Sequence, residues 1–445
     1  MGSAGQGSRG HGTVLRVGMR GGTPPPLPLP VAPAESGTGG RRPLPALAAI
    51  TTARYPSCMP AAPHTPDIRP LWGLDYSQLI VNHGSYGATP LEVLAQQDEW
   101  RRRMEASPTL FMATKLPAAI RAAADAVAAA IGAEGRDLAL VDNSTGAINA
   151  ILASFPFQPG DEILVTSHTY GAVLKTARHV AARTGTIIVT APMPFPDATA
   201  DKLIAAYADH LTPRTRMAIV DHITSPSALV MPVAEIIAAC HQAGALVLVD
   251  GAHGPGQVPL DLKTLGADYY VGNGHKWWMG AKGAGFLWAA PQHQADLHPT
   301  IISHGYGSGF LAEFDWTGTR DWSAALVMPD AIAFHNRLGG TALMAANRNL
   351  ARAAAEKLAA RLGTRLASPP DLEAAMALVE LPFGGPANDE TQAELRALFY
   401  GLDCDIPIMA LGDTHWLRLS AQAYNLPSDF DRLGDLVDMV SQRTR

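Results

Sequence analysis

Between residues 120 and 290 the apolar positions fall in short uninterrupted runs, and stretches with helical periodicity separate them. Leu138–Val141, Glu162–Thr166, Thr186–Thr190, Met217–Val220, Ala245–Val249, Tyr269–Val271 and Gly285–Trp288 read as strands. Pro117-Ala118-Ala119-Ile120 opens an Ala-rich helix reaching about Ile131, and Val233–Gln242 forms another that stops at Gly244. Apolar runs without alternation belong to strands buried on both faces, and intervening helices make the sheet parallel. After Ser323 a long helical stretch to Arg361 leads into a smaller α/β unit that reaches the C-terminus. No internal repeat is visible.

Composition narrows the class. A chain of 445 residues with 47% hydrophobic and 17% charged positions can bury a core in two or three domains. Three scattered thiols (Cys58, Cys240, Cys404) do not make a disulfide framework. No apolar run is long enough for a membrane span. A formal charge of −6 argues against nucleic-acid or anionic-membrane partners, so a cytoplasmic location is expected.

Residues 1–58 differ from the rest: they carry six Arg, one acid, no Lys and the run Thr23-Pro24-Pro25-Pro26-Leu27-Pro28-Leu29-Pro30. Proline fixes φ and removes a donor, so an extended or disordered tail is expected. Such a tail is consistent with a dispensable segment, with a start displaced to Met59, or with a targeting peptide lacking an apolar core. The expected divisions are this tail, an N-terminal arm over 59–95, a large domain over 96–325 and a small domain over 326–445.

Functional side chains in such sheets gather at the C-terminal ends of strands. Asp142-Asn143-Ser144-Thr145-Gly146 follows the first strand, where Ser144, Thr145 and a helix start can bind an anion, or simply cap the helix. Neither G-x-x-x-x-G-K-[ST] nor G-x-G-x-x-G is present there. Asp250 ends a wholly apolar strand, where a carboxylate needs a cation or several donors; it could equally cap the turn of Gly251 to Gly256. Lys276 lies in Asn273-Gly274-His275-Lys276-Trp277-Trp278, among bulk that lowers an amine's pKa, unless it snorkels to solvent. Together they supply an anion cup, an acid for a ring nitrogen and an amine for covalent attachment, which are the groups pyridoxal phosphate requires.

At this point the sequence resembles the class V aminotransferase and cysteine desulfurase family of fold-type I pyridoxal-phosphate enzymes, from about Val81 to Asn425. It is most similar to the isopenicillin N epimerase-like branch, through Val81-Asn82-His83-Gly84-Ser85-Tyr86-Gly87, Asp221-His222-Ile223-Thr224-Ser225-Pro226 and Gly274-His275-Lys276-Trp277. The resemblance implies a large domain with a mostly parallel seven-stranded sheet and a smaller C-terminal α/β domain. It implies that Lys276 binds the cofactor covalently, that Asp250 pairs with its nitrogen and that His253 sits near the phenolic oxygen, where relatives often have Gln. Ser144, Thr145 and His275 are similar to phosphate-side residues. Asn273 stands where desulfurases often have Ser, and Ser225 where relatives often have Asn. Tyr170 would be the stacking ring, with His168 as the second choice.

The resemblance further implies a homodimer in which Thr319 reaches the partner's phosphate, and a substrate carboxylate held by Arg418. His83, Tyr86, Trp277 and Phe111 are further candidates for the substrate pocket. No metal is expected. The activity it implies is chemistry at the α-carbon of an amino acid, with epimerisation the leading expectation. Desulfuration or C–S lysis and transamination are the alternatives, and a non-catalytic relative comes last. Desulfuration would need a reactive Cys404, fourteen residues before Arg418.

Overall fold

The computed structural model describes residues 67–444. The tail expected over 1–58, together with Cys58 and Met59, lies outside them. The seven apolar runs all become strands of one sheet: β2 (Leu138–Val141), β3 (Glu162–Thr166), β4 (Ile187–Ala191), β5 (Thr215–Asp221), β6 (Leu246–Gly251), β7 (Tyr269–Asn273) and β8 (Gly285–Ala289). A two-residue strand, β1 (Leu79–Ile80), precedes them. The order across the sheet is β2-β8-β7-β6-β5-β3-β4. Strands β4, β3, β5, β6 and β7 pair in parallel, while β8 runs antiparallel to both β7 and β2. The reversal has a simple cause. Every parallel pair is joined through a helical crossover, but residues 274–284 form a loop too short for one, so the chain turns back beside β7.

Both faces of this sheet are apolar, as the unalternating runs require. Ala139, Ile163, Val165, Ile219, Leu248 and Val271 pack on one side with the helices Ser144–Ser154 and Gly171–Thr184. Leu140, Leu164, Val220, Val249 and Tyr270 pack on the other with Leu116–Ala130 and Val233–Gln242. Each fully buried aliphatic side chain stabilises the fold by about 1.5–3 kcal/mol.

The helical stretch expected from Ser323 to Arg361 is three helices: Ser323–Leu326, Met328–Arg337 and Thr341–Leu362. Pro329 starts the second, and Gly339 and Gly340, both at positive φ (122° and 55°), separate it from the third. Beyond them lies a three-stranded antiparallel sheet of β9 (Met376–Glu380), β11 (Ile408–Leu411) and β12 (Thr414–Ser420), ordered β11-β12-β9. Between β9 and β11 comes β10 (Cys404–Asp405), which pairs with β1. The period of two decides what β12 does. Leu417 and Leu419 enter a core with the helices Thr341–Leu362 and Pro427–Arg443, whereas Trp416 packs with Trp277 and Ile223 from the loops of the large sheet. Arg418 shares the second face.

The segment before residue 96 clasps the rest. Arg69 pairs with Asp429 at 2.6 Å, and His83 Nε2 lies 3.0 Å from the Lys276 carbonyl oxygen. Gly87 comes so close behind that loop, at φ +74°, that a Cβ there would stand 2.0 Å from the His275 carbonyl oxygen. Among the described residues no helix is long and apolar enough to cross a membrane.

Candidate active site

Five of the loops at one end of the large sheet converge, those after β2, β3, β5, β6 and β7. Asp250, on the last turn of β6, is 4% exposed and accepts from the Ala252 N–H at 3.0 Å. Burial raises its pKa, and the Ala252 N–H and the charge of Lys276 act the other way. Lys276 is the third residue of the loop after β7. Its Nζ lies 3.0 Å from His253 Nε2, and the Trp277 Nε1–H donates to His253 Nδ1 at 3.3 Å.

That chain assigns protons. An indole nitrogen only donates, so Nδ1 of His253 carries the lone pair. Burial, then Lys276, Arg418 and His275, hold the imidazole neutral by lowering its pKa well below the ordinary value, which leaves the remaining proton on Nε2. Nε2–H then points at Nζ, which must present a lone pair. The amine fits this: burial first and the Arg418 charge second bring the Lys276 pKa down to about 8, against the opposing pull of Asp250. The site thus holds a lysine ready to act as nucleophile or base near neutral pH.

This has a measurable consequence. Protein stripped of cofactor is expected to capture added pyridoxal phosphate at a rate that climbs with pH to about 8 and then levels, because the neutral amine is the reacting form. An unperturbed lysine would keep climbing towards about 10.4. Removing the repelling charge with Arg418→Met should move the inflection upward; an unchanged inflection would show that Arg418 does not tune the amine.

The anion cup is built from the helix Ser144–Ser154. Asn143 caps it by accepting from the Gly146 N–H, and the Ser144 N–H donates to Asn273 Oδ1 at 2.9 Å. Asn273 therefore ties β7 to this helix start. Ser144 Oγ is buried with no partner, an unsatisfied hydroxyl at a helix N-terminus, which suits a phosphate oxygen. Thr145 is half-buried beside it. His275, from the Lys276 loop, is part-buried and held neutral by burial, with a pKa near 4. An orphaned hydroxyl at a helix start, a buried carboxylate and a neutral amine fit the phosphate, ring nitrogen and aldehyde of pyridoxal phosphate.

Other expected residues are disposed unevenly. Arg418 is 3% exposed; it donates to the Ser225 carbonyl oxygen and, at 3.3 Å, to Ser85 Oγ. Ser225 thus meets the guanidinium. Tyr170 is 46% exposed at a helix start, whereas His168 is buried at the end of β3, bonded to Ser227 Oγ at 2.8 Å. His83 is locked between Tyr424 Oη and the Lys276 carbonyl, each at 3.0 Å, and Tyr86 stands at the mouth of a cleft, 74% exposed. Phe111, considered for the pocket, packs instead in the core near Trp100. Thr319 is exposed.

Cys404 is 1% exposed, and its thiol is pushed up to about 12, by burial first and by Asp405 second. It sits in β10 against Leu79 of β1, not on a loop. Among the described residues no cluster of His, Cys, Asp or Glu could hold a metal ion.

One residue near the site, quoted above only as part of a motif, had no role assigned to it from the sequence. Asp221, at the end of β5, is the register partner of Asp250 on β6, 3% exposed and with Oδ2 unpartnered. Burial, then the charge of Asp250, push its carboxyl well above the usual carboxylate range, toward the neutral form. The signal was present: Val220-Asp221 ends an apolar strand just as Val249-Asp250 does.

The family model for class V aminotransferases matches residues 87–433. The chain belongs to that family. As a member of that family it is a pyridoxal-phosphate enzyme, and the residues above fit that group. It is 35% identical to a putative L-cysteine desulfhydrase of Oryza sativa subsp. japonica, covering 81% of this chain and 82% of that protein. It is 32% identical to an isopenicillin N epimerase of Streptomyces clavuligerus, over 83% of this chain and 96% of that one. The crystal structure of a cysteine desulfurase from Escherichia coli shares its fold, with a TM-score of 0.70 at 22% identity over 85% of this chain and 98% of the other. The expectation that epimerisation leads is not carried by these relatives, since desulfhydrases match at least as well.

Proposed function

We propose that this enzyme is a C–S lyase: it eliminates the β-sulfur substituent of a cysteine-type amino acid as sulfide or a thiol, and one water molecule hydrolyses the remaining enamine to pyruvate and ammonia. The observation that carries this reading is the burial of Cys404. A desulfurase passes sulfur to an exposed, low-pKa thiol, whereas β-elimination needs only a base and an anchored substrate. The similarity to desulfhydrases supports the same choice.

In this reading Arg418 grips the substrate carboxylate through its planar fork. Neutral Lys276 takes the α-proton and hands it to the departing sulfur. Pyridoxal phosphate, when bound, supplies an aromatic ring that draws electrons from the α-carbon. Asp250 would hold the ring nitrogen, the buried His168 would serve in place of the exposed Tyr170 as the residue that packs on the cofactor, and His253 would serve its phenolic oxygen. Ser144, Thr145 and His275 would hold the phosphate, with Thr319 supplied by a second copy of the chain.

Epimerisation is the second reading, favoured by similarity to two isopenicillin N epimerases along 96% of each of their lengths. Incubation with L-cysteine in heavy water separates the two. Elimination gives sulfide, pyruvate and ammonia; epimerisation gives racemised amino acid carrying α-deuterium and none of those products. Cys404→Ala is expected to keep sulfide release within about twofold while lowering stability by about 1–2 kcal/mol for the lost buried group. Loss of sulfide release in a folded variant would return the reaction to desulfuration.

A further inference from the structure

A cleft of about 560 Å³ opens beside the buried Arg418. That is far more room than a three-carbon amino acid needs. Arg418 enters it from β12 with Ser225 and Tyr86 near it, and Arg396 enters from the helix Asp389–Tyr400. Among the described residues neither guanidinium is in an ion pair. Arg418 meets only the oxygens of Ser225 and Ser85.

Arg396 meets one phenol, donating to Tyr400 Oη at 3.0 Å, with its guanidinium carbon 5.8 Å from that ring's centroid. Its Nε is buried and unpartnered. Tyr400 thus orients a planar fork whose terminal nitrogens, unlike the enclosed Nε, keep donors free to meet an acceptor in the cleft. The two cations also feel each other: after burial, Arg396 is the largest influence lowering the Arg418 pKa, to about 10. A ligand with a carboxylate at each end would cancel that repulsion.

The acids on the same wall do not take this place. Asp405 accepts from Asn82 Nδ2 at 3.0 Å, and Asp403 is exposed on a turn at φ 53°. Because these acids balance the arginines, the cleft has no general pull on anions. Selection must come from contact with the Arg396 fork itself.

We propose that Arg396 is a second carboxylate-recognition point, so that the substrate is a cysteine-type amino acid whose sulfur substituent ends in a carboxylate, with the sulfur-free acids below as its non-reacting analogues. The proposal rests on the reading of Arg418 and Lys276 as an amino-acid site and names the substrate class of that site.

The test uses the holoenzyme and the change in its visible absorption as an amino acid displaces Lys276. L-glutamate and L-2-aminoadipate are titrated against their uncharged counterparts of equal length, L-norvaline and L-norleucine. At least one acid is expected to bind roughly ten- to a hundredfold more tightly than its counterpart, the range of a charge-assisted hydrogen bond. Arg396→Gln should erase that preference while leaving the neutral amino acids unchanged, and Arg396→Lys should restore part of it. Equal binding of acid and counterpart in the wild type, or equal weakening of both by Arg396→Gln, overturns the proposal. If neutral amino acids bind normally in that case, the amino-acid site itself stands; if no amino acid alters the absorption, both readings fall.

Discussion

Lys276→Ala is expected to give a folded protein that cannot be joined covalently to pyridoxal phosphate and that loses at least roughly 10²–10⁴-fold in sulfide release, the usual contribution of a positioned acid–base group. The fold should survive because the truncated side chain leaves behind the backbone contact that matters, the carbonyl oxygen that faces His83 Nε2 at 3.0 Å. What disappears is an amine that burial and Arg418 keep close to its neutral form. Borohydride reduction followed by digestion and mass mapping checks the covalent part: the wild type should carry a reduced adduct at position 276, and the variant none. An adduct on a different lysine, or a variant as active as the wild type, would overturn both the site and the proposed chemistry.

Asp250→Asn is expected to have the next largest effect. The amide can still accept from the Ala252 N–H, so the strand end should hold its shape. It cannot supply the negative charge that a protonated ring nitrogen needs, and its neighbour Asp221, pushed toward the neutral form by burial and by the Asp250 charge, is no ready substitute. Loss of one buried electrostatic contact to a developing charge costs about 10²–10³ in rate. Cofactor capture at Lys276 should persist, so a fall in kcat together with an intact borohydride adduct is the signature. A variant that turns over at the wild-type rate would mean that the ring nitrogen is held elsewhere or not at all. Asp221 also sets how the variant should be interpreted: once residue 250 is neutral, the repulsion that helped keep Asp221 protonated is gone. Residual activity whose rise with pH is displaced from that of cofactor capture at Lys276 would then report Asp221 ionising in its place.

The seven strands and their order along the chain were legible in the sequence because a strand buried on both faces writes itself as a run of apolar residues a few positions long. Asp250 was legible for the same reason, since it breaks such a run at the strand exit, and Lys276 because it follows the next strand by a short polar loop among bulky residues. Asp221 carried the same mark and was passed over; its meaning comes from lying in register with Asp250 across two strands. The long helix from Ser323 was overread. Helical periodicity continued through Pro329 and the Gly339-Gly340 pair, and only the backbone angles at those glycines end one helix and begin the next.

Local sequence, then, determined the element types, the sheet-forming runs and the chemical identity of an acid, a lysine and a hydroxyl-rich helix start. Those properties depend on residues within one or two turns of each other. Tertiary structure alone decided that Cys404 is sealed against Leu79, that His168 is buried while Tyr170 faces outward, and that Arg396 shares a cleft with Arg418. Burial and charge pairing of that kind depend on contacts between residues as far apart as Leu79 and Cys404, and only packing of the whole chain specifies which surfaces meet.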